Sequence, residues 1–473
     1  MVQDKVYKTI EEVLLKAKTA EGKTFGFYDI NNRLNDLNNK GGLGQVIEEG
    51  LFGYNVNSKP EADFANLGLE LKVTGVKLLG NNNKSNYVAK ERLVLNVINY
   101  TEEANATFET SSFWSKNNKL LLLFYVYDFT KEKKDFVILE PLLYEFSDED
   151  LKIIRKDWDF IHEKIKEGKA DELTESDTFY LAACTKGSKA ADSYRHQYGS
   201  DLNAKQRAYS LKKSFIDKII RERMLNYEFE SIVKRLNINL EKQSITDYVI
   251  DYLKKYQNLN ATILFKKYNI NPLSKSRYAS LITKLLGMEN SIDLSDELGK
   301  AGIIMKNVII NENGNLVESI SFPVFKFTDI YSTNFEDSDF YETFFSHSFL
   351  FNVFKKGTDG ITYFKSFVWR ASNRIIDINA RKVYNKTRDI ISSGNIVSEI
   401  KKSNDGKITF LNNFPKMKDD PYFHVRPHGQ TRDDVYVLPV KDKVSGLKVF
   451  TKQCFWINAK YIEEVIKGND YGR

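Results

Sequence analysis

The stretch SKPEADFANLGLELKVT, residues 58–74, places an acidic residue seven positions before a Glu-x-Lys triplet. Its second half alternates apolar and polar residues, which is typical of a β-strand. On such a strand Glu70 and Lys72 share one face, roughly 6.5 Å apart along the chain. Asp63 would join them from a neighbouring strand or from the preceding turn. We therefore predict one pocket in which two carboxylates and an ammonium group converge.

Composition sets the broad class of the protein. The 473 residues predict two or three domains, and 42% hydrophobic with 13% aromatic residues indicate a packed globular chain. The longest apolar run, LLLLFYVY at 120–127, has the length of a strand, so we predict a cytoplasmic protein without a membrane partner. Cys184 and Cys454 are too few and too far apart for a disulfide framework or a zinc site. The net charge of +6 mildly favours a polyanionic partner.

An internal repeat divides the chain. A shift of 234 residues aligns QVIEEGLFG with ASLITKLLG and LGLELKV with AGIIMKN. Further pairs follow in the same order: FETSSF with YETFFS, DWDFIHEKIKEG with VYNKTRDIISSG, and AYSLKKSFIDKII with CFWINAKYIEEVI. We predict two copies of one α+β fold, a mixed sheet flanked by helices, over residues 1–230 and 231–473.

The two copies differ at the acidic positions. The alignment pairs Glu48 with Ile282, Glu70 with Ile304, Asp63 with Glu297, and Lys72 with Lys306. Two apolar replacements are hard to reconcile with a metal site. We therefore predict that the first copy is catalytic and that the second copy binds without catalysis.

Hydrolysis of a phosphodiester would explain this set of residues. Mg²⁺ takes one or two carboxylates, here Asp63 and Glu70, and Glu48 on an amphipathic helix would be a third acid. Lys72 would hold the attacking water and stabilise the developing charge. The alternative is a surface ion pair, because an acid-x-Lys pattern also begins at Glu21, Asp150 and Glu167.

At these residues the chain resembles a known family. KGGLGQVIEEGLFG, residues 40–53, followed by SKPEADFANLGLELK resembles MutH, a nicking endonuclease of the PD-(D/E)xK superfamily. The full layout, with KERLVLNVINY, FETSSFWSKNN, YLAACTKG and HVRPH, looks like the type II restriction endonucleases that cut GATC with a duplicated MutH-like fold. The resemblance implies Mg²⁺ dependence and cleavage 5′ of the G. It implies catalytic roles for Glu48, Asp63, Glu70 and Lys72, and a supporting role for Lys116.

Reading of duplex DNA requires cationic and amide side chains on base edges and phosphates. The candidates are Lys186, Lys189, Arg195, Lys205, Arg207, Tyr209, Lys212 and Lys213 in the first half, and Arg426, His428 and Arg432 in the second. MutH carries Arg-Pro-Lys where this chain reads Cys184, Thr185 and Lys186. The second half has Arg426 and Pro427 at the matching place.

Two further patterns have competing interpretations. His424 and His428 have a helical metal-ligand spacing, but Pro427 argues against a helix, so we predict no zinc site. Residues 261–287 can be read as a helix-turn-helix. The repeat instead places the second of these helices where the first copy has its Glu48 helix, which favours core packing.

The leading hypothesis is a Mg²⁺-dependent GATC endonuclease with an effector copy that binds a second DNA site. The chain would be a monomer in solution that dimerises on double-stranded DNA, with a cognate DNA methyltransferase as its functional partner. The alternatives are a mismatch-repair enzyme that nicks one strand and a DNA-binding regulator without activity.

Overall fold

The computed structural model describes residues 6–36, 39, 41–56, 61–78, 87–128, 130–186, 193–291, 295–402, 408–431 and 433–468. The chain forms two compact units. The first unit is Met1–Gln243 with Leu294–Gly302, and the second is Ser244–Asp293 with Ile303–Arg473. The predicted boundary near residue 230 separates two copies of a sequence repeat. The compact units are defined by spatial contacts instead, so that boundary stays a prediction.

Short helices dominate both units. They are α1 (Ile10–Lys18), α2 (Gly42–Val46), α3 (Tyr100–Glu103), α4 (Ser112–Asn117), α5 (Asp148–Lys166), α6 (Lys213–Ile219), α7 (Ile232–Leu236), α8 (Ile245–Lys254), α9 (Ala261–Lys267), α10 (Arg277–Leu285), α11 (Asp296–Lys300), α12 (Phe327–Ser332), α13 (Asp339–Phe345), α14 (Arg381–Ser393) and α15 (Ala459–Lys467). Among the described residues, none of these helices is long and apolar enough to cross a membrane.

The strands of the first unit form a mixed sheet, a second small sheet and a two-stranded ribbon. They are β1 (Glu70–Leu78), β2 (Tyr87–Ala89), β3 (Leu93–Val97), β4 (Lys119–Val126), β5 (Val137–Ile138), β6 (Leu142–Glu145), β7 (Leu181–Thr185), β8 (Tyr194–Gln197), β9 (Ser200–Lys205) and β10 (Arg207–Leu211). The mixed sheet has the order β2-β1-β4-β5, with β6 also on β4, and the small sheet is β3-β10-β7. The ribbon is β8-β9.

The apolar run at 120–127 lies at the centre of the mixed sheet. β4 runs parallel to β1, with Glu70 opposite Leu120, and antiparallel to β6. Residues Leu120–Phe124 are fully buried, because both faces of this strand are covered. A central parallel strand therefore reads as a continuous apolar run rather than as an alternation.

The described strands of the second unit form two three-stranded sheets and two two-stranded ribbons. They are β11 (Ile303–Ile310), β12 (Ile320–Phe325), β13 (Ser348–Gly357), β14 (Gly360–Trp369), β15 (Val397–Lys402), β16 (Ile408–Asn412), β17 (Phe423–Pro427), β18 (Val435–Val437), β19 (Val449–Thr451) and β20 (Gln453–Ile457). β11 is parallel to β13, as β1 is to β4, and β12-β20-β17 repeats the order β3-β10-β7. The predicted mixed α+β architecture is confirmed.

The core of the second unit explains much of the aromatic content. Phe340 of α13 stacks on Phe455 of β20, with ring centroids 3.9 Å apart. In the same unit, α10 buries Leu281, Ile282 and Leu285. The helix that could have been a DNA-recognition element therefore packs into the interior. Cys184 and Cys454 are also buried and unpaired with each other.

Candidate active site

Glu70 is the centre of the charged cluster in the first unit. Its side chain is 2% exposed, and Lys72 Nζ donates a hydrogen bond to its Oε1 at 2.7 Å. Lys116 Nζ, on the last turn of α4, lies 3.6 Å from the same oxygen. The structure therefore brings together the strand pair Glu70 and Lys72 and the supporting lysine that the resemblance implied.

Asp63 reaches this cluster through a tight turn before β1. Its backbone N–H donates to Glu70 Oε2 at 3.1 Å, and its Oδ2 accepts from the backbone N–H of Leu71 at 3.0 Å. Gly68 has φ +58°, a left-handed conformation that favours glycine and lets the chain reverse into the strand. The turn thus holds both carboxylates at the amino end of β1.

Glu48 lies on a π-helical segment, Ile47–Phe52, that continues α2. Burial and the charges of Asp63 and Glu70 raise the pKa of Glu48 to about 7. Burial and the charge of Glu70 likewise raise the pKa of Asp63 to about 6. Each acid thus responds to the charge of its neighbours, so the three carboxylates form one electrostatic unit.

Lys72 has a second anchor that the sequence pattern did not reveal. Its Nζ also donates to the backbone carbonyl of Leu95 on β3, at 2.9 Å. A carbonyl ligand of this kind depends on how two strands approach each other. No residue type signals it, so only the structure could identify it.

The donor set fits a magnesium ion that also takes water and substrate oxygens. Such an ion needs one or two protein carboxylates, and Asp63 and Glu70 are tied together by the hydrogen bond from the Asp63 backbone. Within the described part of the chain, no group of three or more His, Cys, Asp or Glu side chains is placed to hold a metal ion, so water and substrate oxygens would have to complete the coordination. The raised pKa values of Glu48 and Asp63 identify acids that a bound cation would favour in their charged form.

The predicted DNA-reading residues of the first unit fall into two groups. Lys186 is exposed at the end of β7, whereas Lys189 lies outside the described residues. Arg207, Tyr209 and Lys212 are 4%, 0% and 3% exposed, because they lie on or directly after β10, the central strand of its sheet.

These buried groups have partners inside the first unit. Arg207 Nη1 donates to the carbonyl of Ala183, and Tyr209 OH donates to Glu103 Oε1 at 2.8 Å. Arg207 and Tyr209 are therefore hydrogen-bonded within the first unit, and a role for them in DNA contact stays a prediction. The exposed cations of the same stretch are Arg195 and Lys205, on the β8-β9 ribbon.

Two of the predicted DNA-reading residues of the second unit, Arg426 and His428, lie at the end of one edge strand. Arg426 and His428 are exposed at the end of β17, and both lie against the ring of Trp456 on β20. His424 belongs to the same strand, as expected from Pro427. Arg432 lies outside the described residues.

The strand registers align the two units at this edge. Cys184 of β7 pairs with Ala208 of β10, and Arg426 of β17 pairs with Cys454 of β20. Since the sequence repeat aligns Ala208 with Cys454, Arg426 occupies the strand position that Cys184 holds in the first unit. The arginine is thus present in only one of the two copies.

Among the residues of the second unit that the structure describes, the positions aligned with Glu48 and Glu70 carry no acid. Lys306 on β11 donates to the carbonyl of Ser321 on β12, much as Lys72 donates to Leu95. However, the residue aligned with Glu70 is the apolar Ile304, and the residue aligned with Glu48 is the buried Ile282. Glu297 lies in the first unit, where it accepts from the backbone N–H of Ile232 at 3.0 Å.

Comparisons with known proteins place this geometry in context. Residues 52–157 match the family model of the DNA mismatch repair enzyme MutH. The chain is 35% identical to the type II restriction enzyme Sau3AI of Staphylococcus aureus, over 98% of this chain and 99% of that protein. It is 29% identical to the DNA mismatch repair protein MutH of Shewanella woodyi, over 45% of this chain and 91% of the relative. MutH of Shigella flexneri gives 28% identity over 46% of this chain and 94% of the relative.

Proposed function

The chain belongs to the MutH-like type II restriction endonucleases and is a site-specific deoxyribonuclease, and from that premise we propose that it cuts both strands of DNA at GATC, 5′ of the G, with Mg²⁺. The observation that carries the proposal is the convergence of Asp63, Glu70 and Lys72 in the first unit. The apolar residues Ile282 and Ile304 at the matching positions of the second unit support a division of labour between the copies.

The side chains of the first unit have separate roles in this proposal. Asp63 and Glu70 would hold the metal ion, and Glu48 would assist as a third acid. When bound, Mg²⁺ would neutralise charge on the scissile phosphate and acidify a bound water. Lys72, fixed between Glu70 and the Leu95 carbonyl, would orient the attacking water and stabilise the extra negative charge. Lys116 would contribute a second positive charge beside the same phosphate.

DNA binding would use the exposed cations of both units. In the first unit, Lys186 and the ribbon residues Arg195 and Lys205 would contact the duplex, and Lys189 remains a candidate by position in the sequence. In the second unit, Arg426 and His428 beside Trp456 would read a second DNA site, with Arg432 as a candidate. Occupation of that site would act as an effector of cleavage.

The presence of one proposed catalytic cluster in each chain bears on how many chains assemble on the DNA. One cluster per chain cuts one strand at a time, whereas GATC has two-fold symmetry. We therefore propose that the chain is a monomer in solution and that two chains assemble on the DNA. A cognate DNA methyltransferase would protect the host sites from this activity.

Incubation of the protein with plasmid DNA and Mg²⁺, followed by mapping of the ends, tests the reaction. We expect linear products whose 5′ ends begin with GATC. Glu70→Ala and Lys72→Ala should still bind DNA and lose at least about 10²-fold in cleavage rate, the usual contribution of such groups. The matched control is Lys306→Met, the equivalent lysine in the second unit, which should cleave normally. Normal cleavage by Lys72→Ala would contradict the role of that lysine.

The products also separate the proposal from its alternatives. Accumulation of nicked circles without linear DNA would favour a strand-nicking enzyme like the MutH relatives. Binding without any cleavage in Mg²⁺ would favour a regulator. The duplicated second unit disfavours the first alternative, and the intact charged cluster disfavours the second.

A further inference from the structure

A buried glutamate outside the charged cluster links three elements of the first unit. Glu103, the last residue of α3, is 2% exposed and forms no ion pair with any residue that the structure describes. Its Oε1 accepts from Trp158 Nε1 at 3.0 Å and from Tyr209 OH at 2.8 Å. Its Oε2 accepts from Ser112 Oγ at 2.7 Å and from the Ser112 backbone N–H at 3.3 Å. Burial of a carboxylate is costly, and these four donors offset that cost.

The hydrogen bonds continue from Ser112 toward the two lysines of the active site. Ser112 Oγ accepts from Asn96 Nδ2 at 3.1 Å, and Asn117 Nδ2 donates to Asn96 Oδ1 at 2.8 Å. Asn96 directly follows Leu95, whose carbonyl binds Lys72. Asn117 directly follows Lys116 on α4. One asparagine of this network is therefore next to Lys116 in sequence. The other is next to Leu95, the residue whose carbonyl binds Lys72.

The geometry of α4 explains why such anchors matter. The helix has six residues, and a helix this short is not stable by itself. The Ser111 side chain caps its first turn, Ser112 fastens that turn to Glu103, and Asn117 fastens its last turn to β3. Lys116 lies on the last turn, so its distance from Glu70 depends on these attachments.

In the described part of the second unit, two positions that match this network carry apolar side chains. The fourth residue of α3 is Glu103, whereas the fourth residue of α12, which likewise follows the first strand of its small sheet, is the buried Ile330. The repeat aligns Tyr209 with Phe455, which has no hydroxyl group to donate. A role confined to fold stability would be needed equally in both units, whereas a role in catalysis would be needed only in the first.

We propose that Glu103 is a positioning residue for DNA cleavage, which acts through Ser112 and α4 to place Lys116, and through Asn96 to place the Leu95 carbonyl that holds Lys72. The inference rests on the proposed roles of Lys72 and Lys116. Glu103 itself contacts neither DNA nor metal in this account. Tyr209, expected from the sequence to contact DNA, is one of the donors that fix this carboxylate.

The test is a double-mutant cycle between Glu103→Gln and Lys116→Ala. It measures single-turnover cleavage in Mg²⁺ of plasmid DNA that the wild-type enzyme cuts, and the Kd for the same DNA in Ca²⁺. The amide keeps the shape of Glu103 but presents N–H groups to donors. We expect Glu103→Gln to lower the cleavage rate by roughly 10–100-fold, with Kd changed less than about twofold, because residues of one network couple strongly.

The coupling between the Glu103→Gln and Lys116→Ala substitutions decides whether Glu103 acts through Lys116. In the Lys116→Ala background, Glu103→Gln should lower the rate by less than about threefold, whereas a purely structural defect would multiply the two losses. Three results would overturn the proposal. The rate losses of the two single variants could multiply fully in the double variant, Glu103→Gln could cleave at the wild-type rate, or its defect could lie in a weaker Kd for DNA rather than in the cleavage rate. If Lys116→Ala itself cleaves normally, the role assigned to that lysine fails first, and this outcome is distinguishable because Lys72→Ala can still be inactive.

Two further variants keep the test informative. Tyr209→Phe removes one donor and reproduces the residue found at the matching position of the second unit. It should lower the cleavage rate less than Glu103→Gln does, and its effect should also be non-additive with that of Lys116→Ala. This variant keeps the proposal testable if Glu103→Gln fails to fold. Glu102→Gln, at the exposed neighbouring position of α3, is the matched control and should cleave like wild type. Additive behaviour of Tyr209→Phe with Lys116→Ala would count against the network.

Discussion

The carboxylates of the first unit differ in how their charge is compensated. Glu70 lies beside two lysines, whereas Asp63 and Glu48 face other acids and are partly removed from water. Without a cation, their charged forms are therefore disfavoured. This conflict is a cost to the fold that a bound metal ion would relieve.

The metal-free protein should consequently lose stability as pH rises through this range. An unfolded aspartate releases its proton near pH 4, whereas burial raises the pKa of Asp63 to about 6 in the folded state. The folded state binds more protons between these values, so the free energy of unfolding falls as pH increases across them. Asp63→Asn should remove this penalty and stabilise the protein at pH 8 by roughly 1–2 kcal/mol, after allowance for solvent screening.

Urea unfolding in EDTA at pH 5 and pH 8 measures this difference. The gain from Asp63→Asn should be largest at pH 8 and about half as large at pH 5, where the wild-type side chain is protonated in the folded state but mostly ionised in the unfolded state. The Asn side-chain oxygen can still accept from the Leu71 N–H, so the turn should persist. Asp201→Asn, on the exposed strand β9, is the control and should change neither value. A variant no more stable than wild type at pH 8 would refute the electrostatic account.

Residue type predicted which charged side chains would converge, but it did not predict which of the candidate DNA-contacting residues would be exposed. Asp63, Glu70 and Lys72 could be inferred because strand alternation fixes which side chains share a face. Arg207, Tyr209 and Lys212 were assigned to DNA from their chemistry. Their burial follows from the position of β10 between two other strands, with both faces covered, and this position depends on contacts far apart in sequence.

At the scale of elements, the amphipathic helix expected around Glu48 is α2 with its π-helical continuation. The sequence indicated a helix, and the structure shows that its second part, Ile47–Phe52, is a π-helix. Gly50 lies in that turn with its α-carbon against the backbone of Tyr28. A Cβ at Gly50 would lie 1.9 Å from the Tyr28 carbonyl oxygen, so the glycine permits a close approach that places Glu48.

Gly50→Ala should therefore shift this segment. We expect a loss of roughly 1–3 kcal/mol in stability from the steric conflict, measured by urea unfolding, together with slower DNA cleavage. Gly44→Ala is the matched control in α2, since the nearest atom to its Cβ would be 3.9 Å away. That control should fold normally or gain up to about 1 kcal/mol from helix propensity. Equal stability of the two variants would show that the segment tolerates the added carbon.

For the whole molecule, the internal repeat in the sequence is accompanied by matching strand orders in the two units, β3-β10-β7 and β12-β20-β17. The extent of the two copies along the chain stays a prediction. Residues 294–302 belong to the first unit, although the segments before and after them belong to the second. The sequence did not predict this assignment. Lys300 there forms a buried ion pair with Asp150 at 2.8 Å, an interaction between residues 150 positions apart that no local pattern encodes.

The proposed effector role of the second unit predicts how cleavage depends on the number of DNA sites. A plasmid with two GATC sites supplies the effector site at a high local concentration, so it should be cut roughly 5–100-fold faster than a one-site plasmid, the usual range of allosteric coupling. A short GATC duplex added in trans should restore cleavage of the one-site plasmid. Arg426→Ala should abolish both advantages while the basal one-site rate persists, because that arginine lies on the second unit, which lacks the acidic cluster. Equal rates on the two plasmids would mean that the second unit has some other role than sensing a second site.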